Sequence, residues 1–171
     1  YHYDLVVVGA GPAGSSAAFA AAKNGIKVAL LEKENSIAET VRTSGVTWIE
    51  SIKEFGIPED CFNPIKNFSF VSPNNQVTIR DSVATAAVLD VRKTYRWLAK
   101  EAEKVGVDVF VKMNINEVIK NKENDIVGVS GVGPNGKAIF HSKVIIDATG
   151  FSSIISKAMG FVTQWERFGA G

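Results

Sequence analysis

The chain has 171 residues, 46% hydrophobic and 22% charged, which is typical of one ordinary globular domain and excludes the disordered and fibrous classes. Its 19 basic and 18 acidic residues leave a net charge of +1, too small a basic excess to predict binding to nucleic acid. No apolar run reaches the length of a membrane span, and the single cysteine, Cys61, allows no intrachain disulfide, so we expect a cytoplasmic protein.

Residues 4–32 carry the pattern of a dinucleotide-binding βαβ unit: an apolar strand, a glycine-rich turn, an alanine-rich helix over 15–23 and a second apolar strand. In the turn, Gly9 permits a tight bend, Gly11 lets a pyrophosphate approach the backbone, and Gly14 lets the helix lie close to the sheet. The N–H groups at the helix start favour a phosphate. Glu32, at the end of the second strand, can accept the hydroxyls of an adenosine ribose.

The next loop, 33–45, leaves the carboxyl end of a parallel strand, where open α/β sheets bind their ligands. Arg42, Thr43, Ser44 and Gly45 offer a cation, two hydroxyls and a flexible backbone there, a set that suits the phosphate or ring edge of a cofactor. A solvated loop without ligand contacts is the alternative.

Residues 46–90 predict a helix followed by short strands. Apolar residues at 46, 49, 52 and 55 share one helical face and predict a helix over 46–55. Two alternating runs, 67–72 and 76–80, flank Pro73-Asn74-Asn75 and predict a hairpin, and 86–89 predicts one more strand.

Residues 91–150 complete the predicted sheet. An amphipathic helix over 91–105 is expected to cross over to a third parallel strand at 108–111. Three runs within 114–140 are separated by turn residues and predict an antiparallel meander, and 143–150 is the final strand with the sequence Ala148-Thr149-Gly150 at its end. The fold class predicted for 1–171 is α/β: a Rossmann-like parallel sheet with an inserted three-stranded β-meander.

This order of motifs resembles the FAD-binding half of flavoproteins with two dinucleotide-binding domains. Within that group the chain is similar to the geranylgeranyl reductase family, which includes the archaeal digeranylgeranylglycerophospholipid reductases. The resemblance implies an FAD-dependent oxidoreductase that saturates double bonds of isoprenoid lipid chains by hydride delivery from the flavin. It is carried by residues 4–14, Val41-Arg42, 65–73, 88–90, 96–99 and 143–153.

The resemblance also implies a set of cofactor-binding residues, from the pyrophosphate and ribose contacts to the strand that crosses under the cofactor. Because the flavin carries the chemistry, no catalytic triad and no metal site are expected, and no catalytic residue is assigned. The implied partners besides FAD are a hydrophobic isoprenoid substrate and a membrane surface in peripheral contact. The cofactor-binding set is Gly9, Gly11, Pro12, Ala13, Gly14, Glu32, Lys33, Arg42, Thr43, Ser44, Gly45, Val46, Arg92, Ile115 (through its backbone, at the adenine), Asp147, Ala148, Thr149 and Gly150.

The chain departs from the family pattern at two positions. Many members have a cysteine at or next to the position of Thr43, where this chain has Thr43 and Ser44. The family arginine that opens the crossover helix aligns with Val91 or with Arg92, depending on a shift of one residue, and the predicted contact is assigned to Arg92. Flavoproteins of this group also have a later Gly-Asp motif and a substrate domain, so we expect this chain to be an N-terminal part, with 164–171 as the entry to the remainder.

Two other functions remain open from the sequence. A flavin-dependent monooxygenase or hydroxylase shares the cofactor fold and differs mainly in the substrate domain. A nucleotide-binding module without catalysis is the third, because a βαβ unit alone can hold ADP or NAD.

Overall fold

The computed structural model describes residues 1–161, which divide into two compact units. The first unit comprises residues 1–40 and the chain from residue 95, and the second comprises residues 41–94. The predicted entry segment at 164–171 lies outside the described residues. The elements in chain order are β1 (Leu5–Val8), α1 (Pro12–Lys23), β2 (Val28–Leu31), β3 (Val46–Trp48), α2 (Ile49–Glu54), β4 (Phe62–Ile65), β5 (Asn67–Ser72), β6 (Asn75–Arg80), β7 (Ala86–Leu89), α3 (Val91–Lys104), β8 (Asp108–Phe110), β9 (Asn114–Lys120), β10 (Ile126–Gly133), β11 (Gly136–His141), β12 (Val144–Asp147) and α4 (Ile154–Ala158).

A four-stranded parallel sheet forms the centre of the first unit, in the order β12-β1-β2-β8. Every residue of β1 and β2 is buried, which explains why both strands read as unbroken apolar runs. The first strand lies between the second and the last, as in dinucleotide-binding sheets. The predicted Rossmann-like sheet is therefore confirmed, with residues 108–110 as its third strand.

The two faces of this sheet are covered by different elements. Leu5 and Val7 face a cluster that includes Ala18 of α1 and Ala102 of α3. The other two residues of β1, Val6 and Val8, face a second cluster, which includes Phe140 of the meander. Strands β9, β10 and β11 form that meander with antiparallel pairing, so the predicted insertion is confirmed. Burial on both faces fixes the register, because a shift of one residue would exchange the two faces.

The second unit contains two small antiparallel sheets, β3-β7-β4 and the hairpin β5-β6. The hairpin is confirmed, but the helix predicted over 46–55 is wrong in its first turn. Val46–Trp48 is a strand paired with Ala86–Val88 of β7, and the helix begins only at Ile49. Of the four residues predicted to share a buried face, only Ile52 is buried, whereas Phe55 is 69% exposed. None of the helices within residues 1–161 is long and apolar enough to cross a membrane.

Candidate functional site

The glycine turn that follows β1 needs its first glycine for two reasons. Gly9 has a φ of 103°, a left-handed conformation that side chains disfavour. A Cβ at Gly9 would also collide with the carbonyl oxygen of Ala148, which follows β12. The Gly9 N–H donates to the Leu31 carbonyl at the end of β2, at 2.7 Å. Gly9 therefore joins the carboxyl ends of three neighbouring strands.

A side chain would have no room at Gly14, whereas the space beside Gly11 is open. A Cβ at Gly14 would overlap the carbonyl oxygen of Gly9 and lie 3.1 Å from the Cβ of Ala148, so glycine is needed for the close approach of α1 to the turn. A Cβ at Gly11 would meet no atom within 4 Å. Gly11 is the N-cap of α1, where no side chain caps the helix, and Pro12 occupies its first turn. The space beside Gly11 thus adjoins the positive end of a twelve-residue helix.

Ser15 supports this turn and is a residue that sequence reasoning missed. Its side chain is fully buried, and its Oγ donates to the Ala10 carbonyl at 3.2 Å. The Ser15 N–H donates to the Gly11 carbonyl at 2.9 Å. A serine directly after the glycine pattern, in a helix otherwise rich in alanine, was the available signal.

Glu32 lies directly after β2, and its carboxylate is bonded to the glycine turn. Oε2 accepts the Ala10 N–H at 2.9 Å, and Oε1 accepts the Glu34 N–H at 3.0 Å. Each carboxylate oxygen has a second lone pair, so both retain capacity for a further donor. The predicted acid therefore supports the turn with its side chain and can still receive hydroxyl groups.

The chain between β8 and β9 runs beside Glu32. The Glu32 N–H donates to the Phe110 carbonyl at 2.8 Å, and the Met113 N–H donates to the Glu32 carbonyl at 2.7 Å. Ile115 follows in β9 with its side chain in the core, only 2% exposed. Only the backbone of Ile115 is thus available for the predicted contact with the adenine. Lys33, which follows Glu32 and is also in the predicted set, is exposed.

The A-T-G turn, formed by Ala148, Thr149 and Gly150, begins where β12 ends, next to the glycine turn. Asp147 pairs in register with Val8, and the Ala148 N–H donates to the Val8 carbonyl at 2.8 Å. The Asp147 carboxylate is partly buried, which opposes its ionised form. Hydrogen bonds from Thr149 and Ser156 outweigh this burial and hold the pKa of the carboxyl below its usual range.

A cleft of about 410 Å³ lies along β12 and α4, also within the first unit. Most of the side chains that line it are apolar, among them Ile145, Ile155 and Met159. Asp147 is the one predicted site residue in its lining. The cleft is therefore a feature separate from the glycine turn. Across residues 1–161, no group of three or more histidine, cysteine or acidic side chains is placed to hold a metal ion.

The other predicted site residues belong to the second unit. Gly45, with a φ of 75°, accepts a hydrogen bond from the Leu89 N–H at 2.9 Å, and its Cβ position lies 2.8 Å from Leu89 O and Val91 Cγ2. Val46 is 58% exposed. The rest of this group is exposed as well, and its contact with the cofactor stays a prediction: Arg42, Thr43, Ser44 and Arg92.

The residues around the turn fit the pyrophosphate of a dinucleotide. The backbone is open at Gly11, where the sequence predicts the approach of the phosphates, and closed at Gly9 and Gly14, where neighbouring backbone packs. The Glu32 carboxylate, which the sequence predicts to bind the ribose, follows the adjacent strand. All of these groups lie at the carboxyl edge of the parallel sheet, the usual ligand position in this architecture.

Comparison with known proteins agrees with this geometry. A family model described as FAD dependent oxidoreductase matches residues 4–166. A digeranylgeranylglycerophospholipid reductase of Methanocaldococcus jannaschii is 38% identical, over 92% of this chain and 40% of that protein. An uncharacterized protein of Methanosarcina barkeri is 34% identical, over 92% of this chain and 88% of that protein.

A solved structure is also similar. The crystal structure of a geranylgeranyl bacteriochlorophyll reductase-like protein from Thermoplasma acidophilum has a TM-score of 0.84 and 29% identity, covering 95% of this chain and 44% of that one. The chain thus spans about two fifths of the length of the reductase from M. jannaschii. Because the family model covers nearly all of the chain, the chain belongs to the family of FAD dependent oxidoreductases, whose cofactor is FAD.

Proposed function

We propose that the whole protein uses FAD to reduce carbon–carbon double bonds in the isoprenoid chains of a glycerophospholipid. The observation that carries the cofactor part is the open space at Gly11, at the start of α1 and next to the hydrogen bond between Ala10 and Glu32. The lipid part is supported by the 38% identity to a digeranylgeranylglycerophospholipid reductase.

In this proposal the pyrophosphate lies against the turn between β1 and α1. The positive end of α1 and the backbone N–H groups of its first turn stabilise the phosphate charge, so no basic side chain is required there. The residues assigned to this contact are Gly9, Gly11, Pro12, Ala13 and Gly14.

The adenosine part of FAD lies at the neighbouring strand end. Glu32 accepts the ribose hydroxyls with the lone pairs that its two backbone partners leave unused. Lys33 and the backbone at Ile115 flank the ribose and the adenine. Further contacts with the cofactor are assigned to Arg42, Thr43, Ser44, Gly45, Val46, Arg92, Ala148, Thr149 and Gly150.

Bound FAD supplies hydride transfer, while the residues of the chain bind and orient the cofactor. The substrate of such an enzyme is an apolar lipid, which is delivered from a membrane. We therefore infer that the whole protein acts in the cytoplasm, in peripheral contact with a membrane surface.

The test is a reduction assay with dithionite-reduced FAD and a digeranylgeranyl glycerophospholipid in detergent micelles, followed by mass spectrometry of the lipid. The proposal expects the lipid to gain one pair of hydrogen atoms per reduced double bond, and the control without protein to remain unchanged. A parallel incubation in air, with NADPH as the reductant in place of dithionite, tests for a hydroxylase: incorporation of oxygen into the lipid there would contradict the proposal. An unchanged lipid in the presence of bound flavin would contradict reductase activity and favour a binding module.

A further inference from the structure

We propose that Asp147 is a positioning residue of the cofactor site: its carboxylate holds the turn of Ala148, Thr149 and Gly150 against the glycine turn. This inference rests on the proposed function, since it concerns how tightly the same site holds FAD. The family resemblance places Asp147 in the cofactor-binding set, and this inference gives it an indirect role there.

The Asp147 carboxylate is fully engaged by four donors from the chain itself. Oδ1 accepts the Thr149 N–H at 3.1 Å and the Thr149 hydroxyl at 2.6 Å. Oδ2 accepts the Ser156 N–H at 2.8 Å and the Ser156 hydroxyl at 2.7 Å. An ionised carboxylate has about four lone-pair sites, so these bonds leave none for a cofactor hydroxyl. Asp147 can therefore act on FAD only through the residues that it holds.

The Thr149 hydroxyl extends this arrangement to the start of α4. It donates to Asp147 and accepts the Ile154 N–H at 3.0 Å. Between these two bonds the backbone passes through left-handed conformations, with φ of 65° at Gly150 and 45° at Ser153. This conformation suits Gly150 but is disfavoured for the side chain of Ser153, and the carboxylate and hydroxyl bonds on either side hold the chain in it.

The A-T-G turn, which Asp147 holds, lies directly against the glycine turn. The Ala148 carbonyl lies where a side chain at Gly9 would be, and the Ala148 Cβ lies 3.1 Å from the Cβ position of Gly14. A side chain has no room where the two turns meet, so we expect a movement of the A-T-G turn to displace the glycine backbone. The proposed pyrophosphate contacts therefore depend on the hydrogen bonds of Asp147.

The experiment measures FAD affinity by isothermal titration, and unfolding of the ligand-free chain by urea, for four variants. Thr149→Val removes the hydroxyl, Thr149→Ser keeps it, and Asp147→Asn removes one acceptor oxygen. Ser130→Ala is the matched control, because Ser130 is buried and donates to Glu117 at 2.7 Å in the meander.

We expect Thr149→Val and Asp147→Asn to weaken FAD binding about tenfold, the effect of losing one hydrogen bond to a charged group. Thr149→Ser is expected to restore the wild-type affinity. Ser130→Ala is expected to lower the urea midpoint without changing the affinity for FAD. If Thr149 had a purely structural role, Thr149→Val would show this same pattern.

Two outcomes would overturn the inference, and they are distinguishable. If the wild-type chain binds FAD and Thr149→Val binds it equally well, Asp147 and Thr149 do not position the site, and the proposed function stands. If the wild-type chain binds no FAD, the proposed function fails together with the inference. Should Asp147→Asn not fold, the pair Thr149→Val and Thr149→Ser decides the question.

Discussion

The two units of the chain differ in how completely they bury their apolar residues. In the first unit, Val6, Val7 and Leu30 are wholly buried within a sheet covered on both faces. In the second unit, the hairpin β5-β6 carries Phe70 and Val77 with 64% and 60% of their surface exposed. A two-stranded hairpin that buries so little apolar surface is marginally stable on its own in water.

The contrast shows that the glycine turn is held by packing and hydrogen bonds inside the first unit. Gly9, Gly14 and Ala148 contact one another and the ends of buried strands. The residues predicted in the second unit, including Arg42 and Val46, lie on segments with much less burial around them. We therefore expect substitutions in the two units to have very different effects on stability.

The largest expected effect is a core truncation in the first unit. Phe140 is fully buried and stacks on Tyr1 with ring centroids 4.7 Å apart. Phe140→Ala is expected to lower the free energy of unfolding by about 3 to 5 kcal/mol, the usual cost of such a cavity. Phe70→Ala in the exposed hairpin is the matched control and should change the free energy of unfolding by no more than about 0.5 kcal/mol. Urea unfolding measures both, and equal losses would contradict the comparison.

The next effect is a collision at the start of α1. Gly14→Ala places a methyl group on the Gly9 carbonyl oxygen, and overpacking against backbone costs about 1 to 3 kcal/mol of unfolding free energy. Gly25→Ala is a control for backbone strain without a collision, because the Cβ position of Gly25 is open but its φ is 81°. A thermal melt of the ligand-free chain compares the two. An unchanged melting temperature for Gly14→Ala would show that α1 does not pack as described.

A smaller effect is expected at Glu32. Glu32→Gln removes the charge and turns an amide group toward either the Ala10 N–H or the Glu34 N–H, since glutamine has only one acceptor oxygen. We expect FAD binding to weaken by about 1 to 3 kcal/mol. Titration calorimetry measures the affinity for FAD. Urea unfolding of the ligand-free variant measures how much stability the turn loses, which separates that effect from the lost contact with the ribose. Undiminished affinity would remove Glu32 from the site.

The smallest effect concerns acid stability. Burial raises the pKa of Asp147, but the hydrogen bonds from Thr149 and Ser156 outweigh it and leave the pKa below its value in the unfolded chain. The carboxylate therefore stabilises the fold fully above the unfolded pKa, about 3.9, and this contribution is lost as the pH falls through the lower folded value. The stability gap between wild type and Asp147→Asn should be constant near neutral pH and shrink below about pH 4. A gap that widens in acid would contradict this assignment.

The parallel sheet was predictable because its signals are local. Buried strands are continuous apolar runs, and glycines mark the turn before α1. The start of the second unit was not predictable in this way. Thr47 and Trp48 form a strand because they pair with residues 86–87, almost forty positions later, and helical periodicity does not report such pairing. Strand β4 was missed because Pro64 argues against a strand, although an edge strand tolerates it.

In the candidate site, too, the local features were predictable from the sequence and the long-range contacts were not. The glycine pattern and the acid after β2 are visible in the sequence because each residue has a fixed place in a βαβ unit. The contacts that support them are long-range. Ala148 reaches Gly9 only because β12 pairs with β1, and Ser156 reaches Asp147 only after the chain has turned into α4. Spacing alone reports neither contact.

The central claim is that the glycine turn, open at Gly11, holds the pyrophosphate of FAD. The most direct measurement is equilibrium dialysis of ADP and FAD against the wild-type chain and Gly11→Ala. Because a methyl group at Gly11 meets no atom of the chain, the account predicts an unchanged unfolding midpoint and a loss of at least about tenfold in affinity for both nucleotides. Equal uptake by the two proteins, or no uptake by the wild type, would contradict the claim.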